Sequence, residues 1–340
     1  MIEKTLLITG GAGFIGSNFI SFYLSKNLNT HIINIDKLTY AGDLKNLNDI
    51  DQSDEYTFIQ GDICNKEFVE ALFQKYSFDG VIHFAAESHV DNSIENPFEF
   101  LKTNIMGTYV LLETARNYWM QAPFIYKKEY QHCRFHHIST DEVYGTLGKT
   151  GLFTEDTPYA PNSPYSASKA SSDFLVRSYY HTYGLNVVTT NCSNNYGPKQ
   201  HDEKLIPVII RKALLEKPIP IYGDGTNIRD WLYVLDHCRG IDIVYKNGKV
   251  GETYNIGGRN ERDNNYIVNK ICEILDKKKP RSNNRSYGEL ITYVKDRPGH
   301  DQRYAIDASK IEDELGWKAN ENFESGIELT IDWYIKKYSK

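Results

Sequence analysis

An apolar run, Lys4-Thr5-Leu6-Leu7-Ile8-Thr9, passes directly into Gly10-Gly11-Ala12-Gly13-Phe14-Ile15-Gly16, and Ser17 to Leu28 then carries a helical pattern. A strand that turns this sharply into a helix needs backbone freedom at Gly10. Gly13 leaves room for an anion beside the backbone, and Gly16 lets the helix lie close to the strand with its N-terminus facing that anion. The spacing is Gly-x-x-Gly-x-x-Gly, a variant of the commoner Gly-x-Gly-x-x-Gly. The strand, turn and helix around it supply the setting that a dinucleotide fingerprint requires.

The next strand, His31-Ile32-Ile33-Asn34-Ile35, ends at Asp36, twenty residues beyond Gly16. A carboxylate there accepts hydrogen bonds from ribose hydroxyls and repels a 2′-phosphate, so NAD is expected over NADP. A third strand near Thr57-Phe58-Ile59 ends in Gly61-Asp62-Ile63, and a helix follows from about Lys66 to Tyr76. Val81-Ile82-His83-Phe84-Ala85-Ala86 gives a fourth, Phe135-His136-His137-Ile138-Ser139 a fifth and Val187-Val188-Thr189-Thr190-Asn191 a sixth. Strands and helices alternating at this interval predict an α/β fold: a Rossmann-like doubly wound parallel sheet with ligands outside the carboxyl ends of its strands.

Beyond residue 200 the rhythm loosens into short elements: Leu205 to Leu215, Ile219 to Tyr222, Leu235 to Tyr245 and Thr253 to Ile256. The loops between them hold Arg229-Asp230-Trp231 and Asp296-Arg297-Pro298-Gly299-His300-Asp301. This reads as a smaller C-terminal α+β region that brings cations to a cleft. Residues 1–200 are expected to form the NAD-binding domain that carries the catalytic residues. Residues 201–340 are expected to be mainly the substrate-binding domain, with the chain free to cross between the two after 200.

The formal net charge of −6 argues against a general nucleic-acid or anionic-membrane surface. Apolar runs are strand-sized, shorter than the ~18 residues of a spanning helix. The N-terminus shows no basic region followed by an apolar segment, so no export signal is expected. Five cysteines, odd in number and far apart, point to reduced thiols in a cytoplasm, and no metal-ligand spacing is seen. Helices near 97–119, with Asn96 as a cap candidate, and 163–183 carry apolar residues on more than one face. A two-fold homodimer seam is the expected second partner for them.

Chemistry concentrates between Ile138 and Lys169. Ile138-Ser139-Thr140-Asp141-Glu142 ends an apolar run in hydroxyls and two adjacent carboxyls, as a buried strand opening into a pocket would. Tyr165 and Lys169, four residues apart, share one face of a helix. A tyrosine of ordinary pKa, about 10, is a poor base at neutral pH. A neighbouring ammonium and the positive nicotinamide ring of oxidised NAD are both expected to lower that value. Tyr165 would then remove a hydroxyl proton while hydride leaves the same carbon.

Taken together, the glycine turn, Asp36, Asp62, Tyr165 and Lys169 resemble the extended short-chain dehydrogenase/reductase superfamily, which acts largely on nucleotide sugars. Within it, Ser139-Thr140-Asp141-Glu142-Val143-Tyr144-Gly145 resembles the dTDP-glucose 4,6-dehydratase family. So do Ala85-Ala86-Glu87-Ser88-His89-Val90-Asp91, Asn194-Asn195-Tyr196-Gly197-Pro198 and the run from Asp296 to Asp301. The resemblance implies a lyase with tightly bound NAD. Its substrate would be oxidised at C4, lose water across C5 and C6 and receive the hydride at C6.

The adjacent carboxyls suit that chemistry, because two held close do not readily ionise together and one keeps its proton. The resemblance implies that Glu142 is the base at C5, Asp141 the acid at O6, and Thr140 the hydrogen-bond partner of the C4 oxygen. It places the cofactor on Gly10, Gly13, Phe14, Ile15, Gly16, Asp36, Lys37, Leu38, Thr39, Asp62, Ile63, Phe84, Ala85, Ala86, Thr103, Tyr165, Lys169 and Asn195. The nucleotide sugar falls on Ser88, Thr140, Asn194, Lys204, Leu205, Pro220, Ile221, Tyr222, Arg229, Asn264, Asp296, Arg297, Pro298, Gly299 and His300. Arg229 is the best diphosphate clamp on physical grounds, since its planar fork pairs two oxygens at once. A 4-epimerase on the same scaffold is the nearest rival, and it needs no acid-base pair for elimination.

Overall fold

In a computed structural model, which describes residues 4–296 and 301–339, β1 (Lys4–Thr9) ends at the glycine turn and α1 (Phe14–Lys26) begins there. β2 (Thr30–Asp36), β3 (Tyr56–Gln60), α2 (Lys66–Tyr76) and β4 (Gly80–His83) follow. A short α3 (Val90–Glu95) leads into one helical run made of α4 (Pro97–Phe100), a π-helical segment Leu101–Gly107 and α5 (Thr108–Trp119). Asn96 makes no side-chain cap, contrary to expectation; Pro97 at the first position, with its fixed φ, starts this run instead.

The polar excursion after Trp119 forms a hairpin of β5 (Met120–Ala122) and β6 (Ile125–Tyr126). Then come β7 (Arg134–Thr140), α6 (Pro164–Tyr183) and β8 (Val187–Cys192). Ser163 fixes the start of α6: its hydroxyl accepts from the Ser166 amide, while the Ser166 hydroxyl accepts from the Ser163 amide, both at 3.0 Å. Pro164 follows at the first helical position.

The remaining elements are β9 (Asn194–Tyr196), α7 (Leu205–Leu214), β10 (Ile219–Tyr222), β11 (Ile228–Tyr233) and α8 (Val234–Asn247). After them come β12 (Thr253–Ile256), β13 (Glu261–Asp263), α9 (Asn264–Lys278), β14 (Ile291–Val294), α10 (Ser309–Leu315) and α11 (Phe323–Tyr338).

Seven strands form one parallel sheet in the order β12-β8-β7-β4-β1-β2-β3. The chain winds outward from β1 through β2 to β3, then crosses back to β4 and winds the other way. The carboxyl ends of β1 and β4 therefore flank the crevice of a doubly wound sheet. Both faces are covered. Leu6, Ile8 and Ile32 pack with Phe19 of α1 and Ile241 and Val244 of α8, whereas Leu7, Ile33 and Ile35 pack with Phe73, Leu111 and Val176 from α2, α5 and α6. Strands buried on both faces explain the unbroken apolar runs in the sequence.

β12, met in the sequence among the short elements beyond residue 200, lies in this large sheet beside β8, with Tyr254 and Ile256 in its core. The smaller sheets, β13-β11-β9 and β10-β14, share a third core built on Ile209, Ile221, Ile267, Ile271 and Ile327.

Candidate active site

The glycine turn is built by contact. Gly10 stands at φ +73°, where a Cβ would lie 2.6 Å from the Ala85 amide, and a Cβ on Gly16 would lie 2.5 Å from the Gly10 carbonyl oxygen. Only hydrogen fits at either place, so β1, β4 and α1 meet closely and the first amides of α1 open toward the crevice. α1 has no side-chain cap on Gly13, which leaves those amides for an anion.

At the tip of β2, Asp36 accepts from the Ala12 amide at 2.9 Å and from the Leu38 amide at 2.8 Å. The carboxylate thus ties the glycine turn to the β2 tip and keeps further lone pairs for ribose hydroxyls. At the β3 tip, Asp62 pairs with Lys37 at 2.9 Å. One cavity runs over these strand ends. It is lined by Gly10, Gly13, Phe14, Ile15, Gly16, Asp36, Lys37, Thr39, Asp62, Ile63, Phe84, Ala85, Ala86, Thr103, Tyr165, Lys169 and Asn195, so the expected cofactor residues converge with one exception. Leu38, held at φ +56°, does not line the cavity and packs against the core beside β2. A turn closed to Cβ atoms, free helix amides and an acid at the second strand tip fit a dinucleotide.

The β7 tip carries the reactive groups into the same cavity: Thr140, Asp141 and Glu142 line it together with Ser88, Asn194 and Lys204. Asp141 is 2% exposed, and its Oδ2 has no hydrogen-bond partner among the described residues. Burial first, then the charges of Glu142 and Asp230, hold its carboxyl well above the usual carboxylate range. Such surroundings favour the protonated form of Asp141, the form a proton donor needs. Thr140 orders the tip, accepting from the Glu142 amide at 3.3 Å.

Tyr165 departs from the sequence expectation. Burial, followed by the Glu142 charge, raises its phenol well above 10, while Thr140 pulls the other way. Lys169 donates to the Ile138 carbonyl oxygen at 2.8 Å. In the polypeptide by itself, desolvation is the largest influence on the phenol.

The second set of expected residues is arranged differently. Ile221 is fully buried in the third core, and Leu205 packs against the same core. Arg229 is 7% exposed; its guanidinium donates to the carbonyl oxygens of Ile228 at 2.7 Å and Asp301 at 2.9 Å and lies 4.3 Å from the Tyr304 ring centre. Its charge still reaches Asp141. Asn264 opens α9, Pro220 and Tyr222 lie on β10, and the Asp296 carboxyl sits beside Gly223 just past β10. None of these lines the cavity. Arg297, Pro298, Gly299 and His300 lie outside the described residues.

Glu87, Cys192, Ser193, Gln200, His201 and Glu203 also line the cavity, although sequence reasoning did not select them. Cys192 and Ser193 end β8 as Thr140 ends β7, so the strand-tip rule pointed to them. Nothing local marked the loop residues 200–203.

Comparison with known proteins agrees with this geometry. Residues 7–330 match the family model described as GDP-mannose 4,6 dehydratase. The dTDP-glucose 4,6-dehydratase of Xanthomonas campestris pv. campestris (strain B100) is 55% identical over 97% of this chain and 93% of its own length. The chain belongs to the dTDP-glucose 4,6-dehydratase family. Its Salmonella typhimurium relative is 56% identical over 97% of this chain and 92% of its own. The Bacillus anthracis dTDP-glucose 4,6-dehydratase, solved in complex with NAD, superposes with a TM-score of 0.86 at 46% identity, covering 99% of this chain and 98% of that one. A Thermotoga maritima UDP-glucose 4-epimerase gives the same TM-score, 0.86, at 27% identity over 98% of this chain and 99% of its own. The fold is therefore common to dehydratases and epimerases, and the β7 tip has to tell them apart.

Proposed function

We propose that the chain dehydrates dTDP-glucose to dTDP-4-keto-6-deoxyglucose, with NAD bound tightly and restored in every turnover. The observation that carries this reading is the Asp141-Glu142 pair: a buried, protonated carboxyl with an unpartnered oxygen next to a second carboxyl, in the cavity that Tyr165 and the glycine turn line. The relatives' names and the NAD-bound neighbour supply the substrate and the cofactor.

Gly10, Gly13, Phe14, Ile15, Gly16, Asp36 and Asp62 hold the cofactor. Bound NAD supplies a hydride acceptor next to C4, a hydride donor for C6 and a positive ring that favours the Tyr165 phenolate. Thr140 hydrogen-bonds the C4 oxygen, and Tyr165 takes its proton. A ketone at C4 makes the C5 proton acidic and leaves the C6 hydroxyl β to the carbonyl. Glu142 then removes the C5 proton while Asp141 delivers one to O6, and water departs. A protein that only epimerised C4 would have no use for a protonated acid at this place.

Residues 1–200 supply most of this machinery. The nucleotide is assigned to Ser88, Asn194, Lys204 and the elements of 201–340 that carry Arg229, Asn264 and Asp296. Exposed Phe98, Leu101 and Met106 on the run before α5, Tyr109 on α5 and Phe174 on α6 form an apolar surface fit for a homodimer seam. Among the described residues no helix is long and apolar enough to cross a membrane, and all five cysteines are unpaired. A cytoplasmic setting follows from those thiols.

Incubation of the protein with dTDP-, UDP- and GDP-glucose tests the reading. It requires a 4-keto-6-deoxy product from dTDP-glucose. A C4 epimer formed without loss of water would refute it.

A further inference from the structure

The mechanism leaves one buried carboxylate unused. Asp173 lies four residues beyond Lys169 on α6 and is 5% exposed. Three donors converge on it: Ser139 Oγ at 2.8 Å, Tyr159 Oη at 3.0 Å and His137 Nε2 at 3.0 Å. The His137 ring is neutral, since burial and Lys169 hold it well below its ordinary value, and its Nδ1 has no partner among the described residues. The ring proton therefore sits on Nε2 and is donated to Asp173. Donors directed at one carboxyl group favour its ionised form.

We infer that Asp173 is a positioning residue for the dehydratase reaction: it is the buried counter-charge that keeps Lys169 an ammonium, and through Ser139 and Tyr159 it fixes that charge to the β7 tip and to the loop before α6. This rests on the dehydratase reading. The groups that face the pair come from every element packed around it. They are His137 and Ser139 on β7, His83 on β4 behind His137, Cys192 on β8, Tyr144 after β7 and Tyr159 in the loop. Burial pulls Lys169 down, and Asp173 is the first charge that opposes it, with Cys192 second. Burial pushes the Cys192 thiol far up, so Cys192 stays neutral and brings no charge. Burial pushes Asp173 up to about 6, while Lys169, Ser139 and Tyr159 pull it back toward the ionised form.

Removing this charge lowers the Lys169 value, which moves the alkaline limb of the rate profile to lower pH. The test compares wild-type holoenzyme, Asp173→Asn, Asp173→Glu and Tyr159→Phe, each loaded with NAD, over pH 6–10 with dTDP-glucose. Asp173→Asn is expected to shift the alkaline limb down by a unit or more, which cuts kcat at pH 8 by about 10-fold and restores it as the pH is lowered. KM is expected to stay within about 2-fold, and Asp173→Glu to return the limb toward the wild-type position. Tyr159→Phe takes a donor from the carboxyl but leaves its charge in place at alkaline pH, so its limb is expected within about half a unit of the wild type, and a fall as large as that of Asp173→Asn would overturn the inference. A loss in Asp173→Asn by the same factor at every pH, or an unmoved limb, would overturn the inference. If Asp173→Asn yields no folded holoenzyme, Asp173→Ser, which also removes the charge, decides alone: a lowered limb supports the role, and an unmoved limb overturns it. Wild-type protein that makes no 4-keto-6-deoxy product would instead overturn the dehydratase reading, so the two failures are distinct.

Discussion

The β7 tip and the α7–β11 region meet their tasks in opposite ways. At the tip, three consecutive residues, Thr140, Asp141 and Glu142, enter one cavity because strand register carries them there, and Tyr165 and Lys169 follow on one helix face. In the second region Arg229 is held by carbonyl oxygens of Ile228 and, more than seventy residues away in sequence, of Asp301 and Gln302. Proton chemistry is thus local in the chain, whereas the groups assigned to the nucleotide are assembled across it. The consequence is a division of effects: changes at the tip should alter the chemical step, and changes in the second region should alter binding.

The largest expected effect is at the tip. Tyr165→Phe is expected to lower kcat by about 100- to 10,000-fold, with no reduced nicotinamide appearing at 340 nm on mixing with substrate. Normal turnover in that variant would remove Tyr165 from the mechanism. Next, Arg229→Ala should raise KM for dTDP-glucose by about 10-fold or more while kcat changes little. An equal fall in kcat would show that the second region also takes part in the chemistry and would erase the contrast.

A third test concerns the cofactor edge. Asp36 should make the protein retain NAD when incubated with equal NAD and NADP, and Asp36→Ala should narrow that preference. Equal retention by the wild type would break the assignment of the β2 tip.

The smallest effect is on stability. The folded-state value of Asp141 is raised, so above the unfolded carboxyl value, about 3.9, the unfolded chain releases a proton that the folded chain keeps. This term is absent below that pH, and it destabilises the fold increasingly as pH rises toward the folded value. Asp141→Asn removes the ionisable group, so it should melt higher than the wild type at pH 8 and show no such gain at pH 3. Parallel melting curves would contradict a buried, proton-bearing Asp141.

These contrasts also explain what could be read from the chain. β1, the glycine turn, Asp36 and the Thr140-Asp141-Glu142 tip were legible because strand ends and glycine turns mark a parallel sheet's crevice within a few residues. Leu38 looked like part of the cofactor site because it follows Asp36, yet only its amide serves the carboxylate, and a positive φ turns the residue off the cavity. Ile221 was read from β10 without knowing which face of that strand the third core covers. The upward push of burial on Tyr165 was not legible, because burial is a property of the folded cleft and not of a Tyr-x-x-x-Lys spacing; the expected lowering belongs to the protein with NAD bound. Asp173 was passed over for a similar reason: its donors come from β7 and a loop and not from its own helix.

The account depends most on the separation of C4 oxidation from elimination at the Asp141-Glu142 pair. Mixing NAD-loaded Glu142→Gln protein with dTDP-glucose while following absorbance at 340 nm and the sugar product tests this directly. The expected result is a rise in reduced nicotinamide that persists, with formation of the 4-keto-6-deoxy sugar slowed by at least about 100-fold. Equal loss of both signals, or product formed at the wild-type rate, would contradict it.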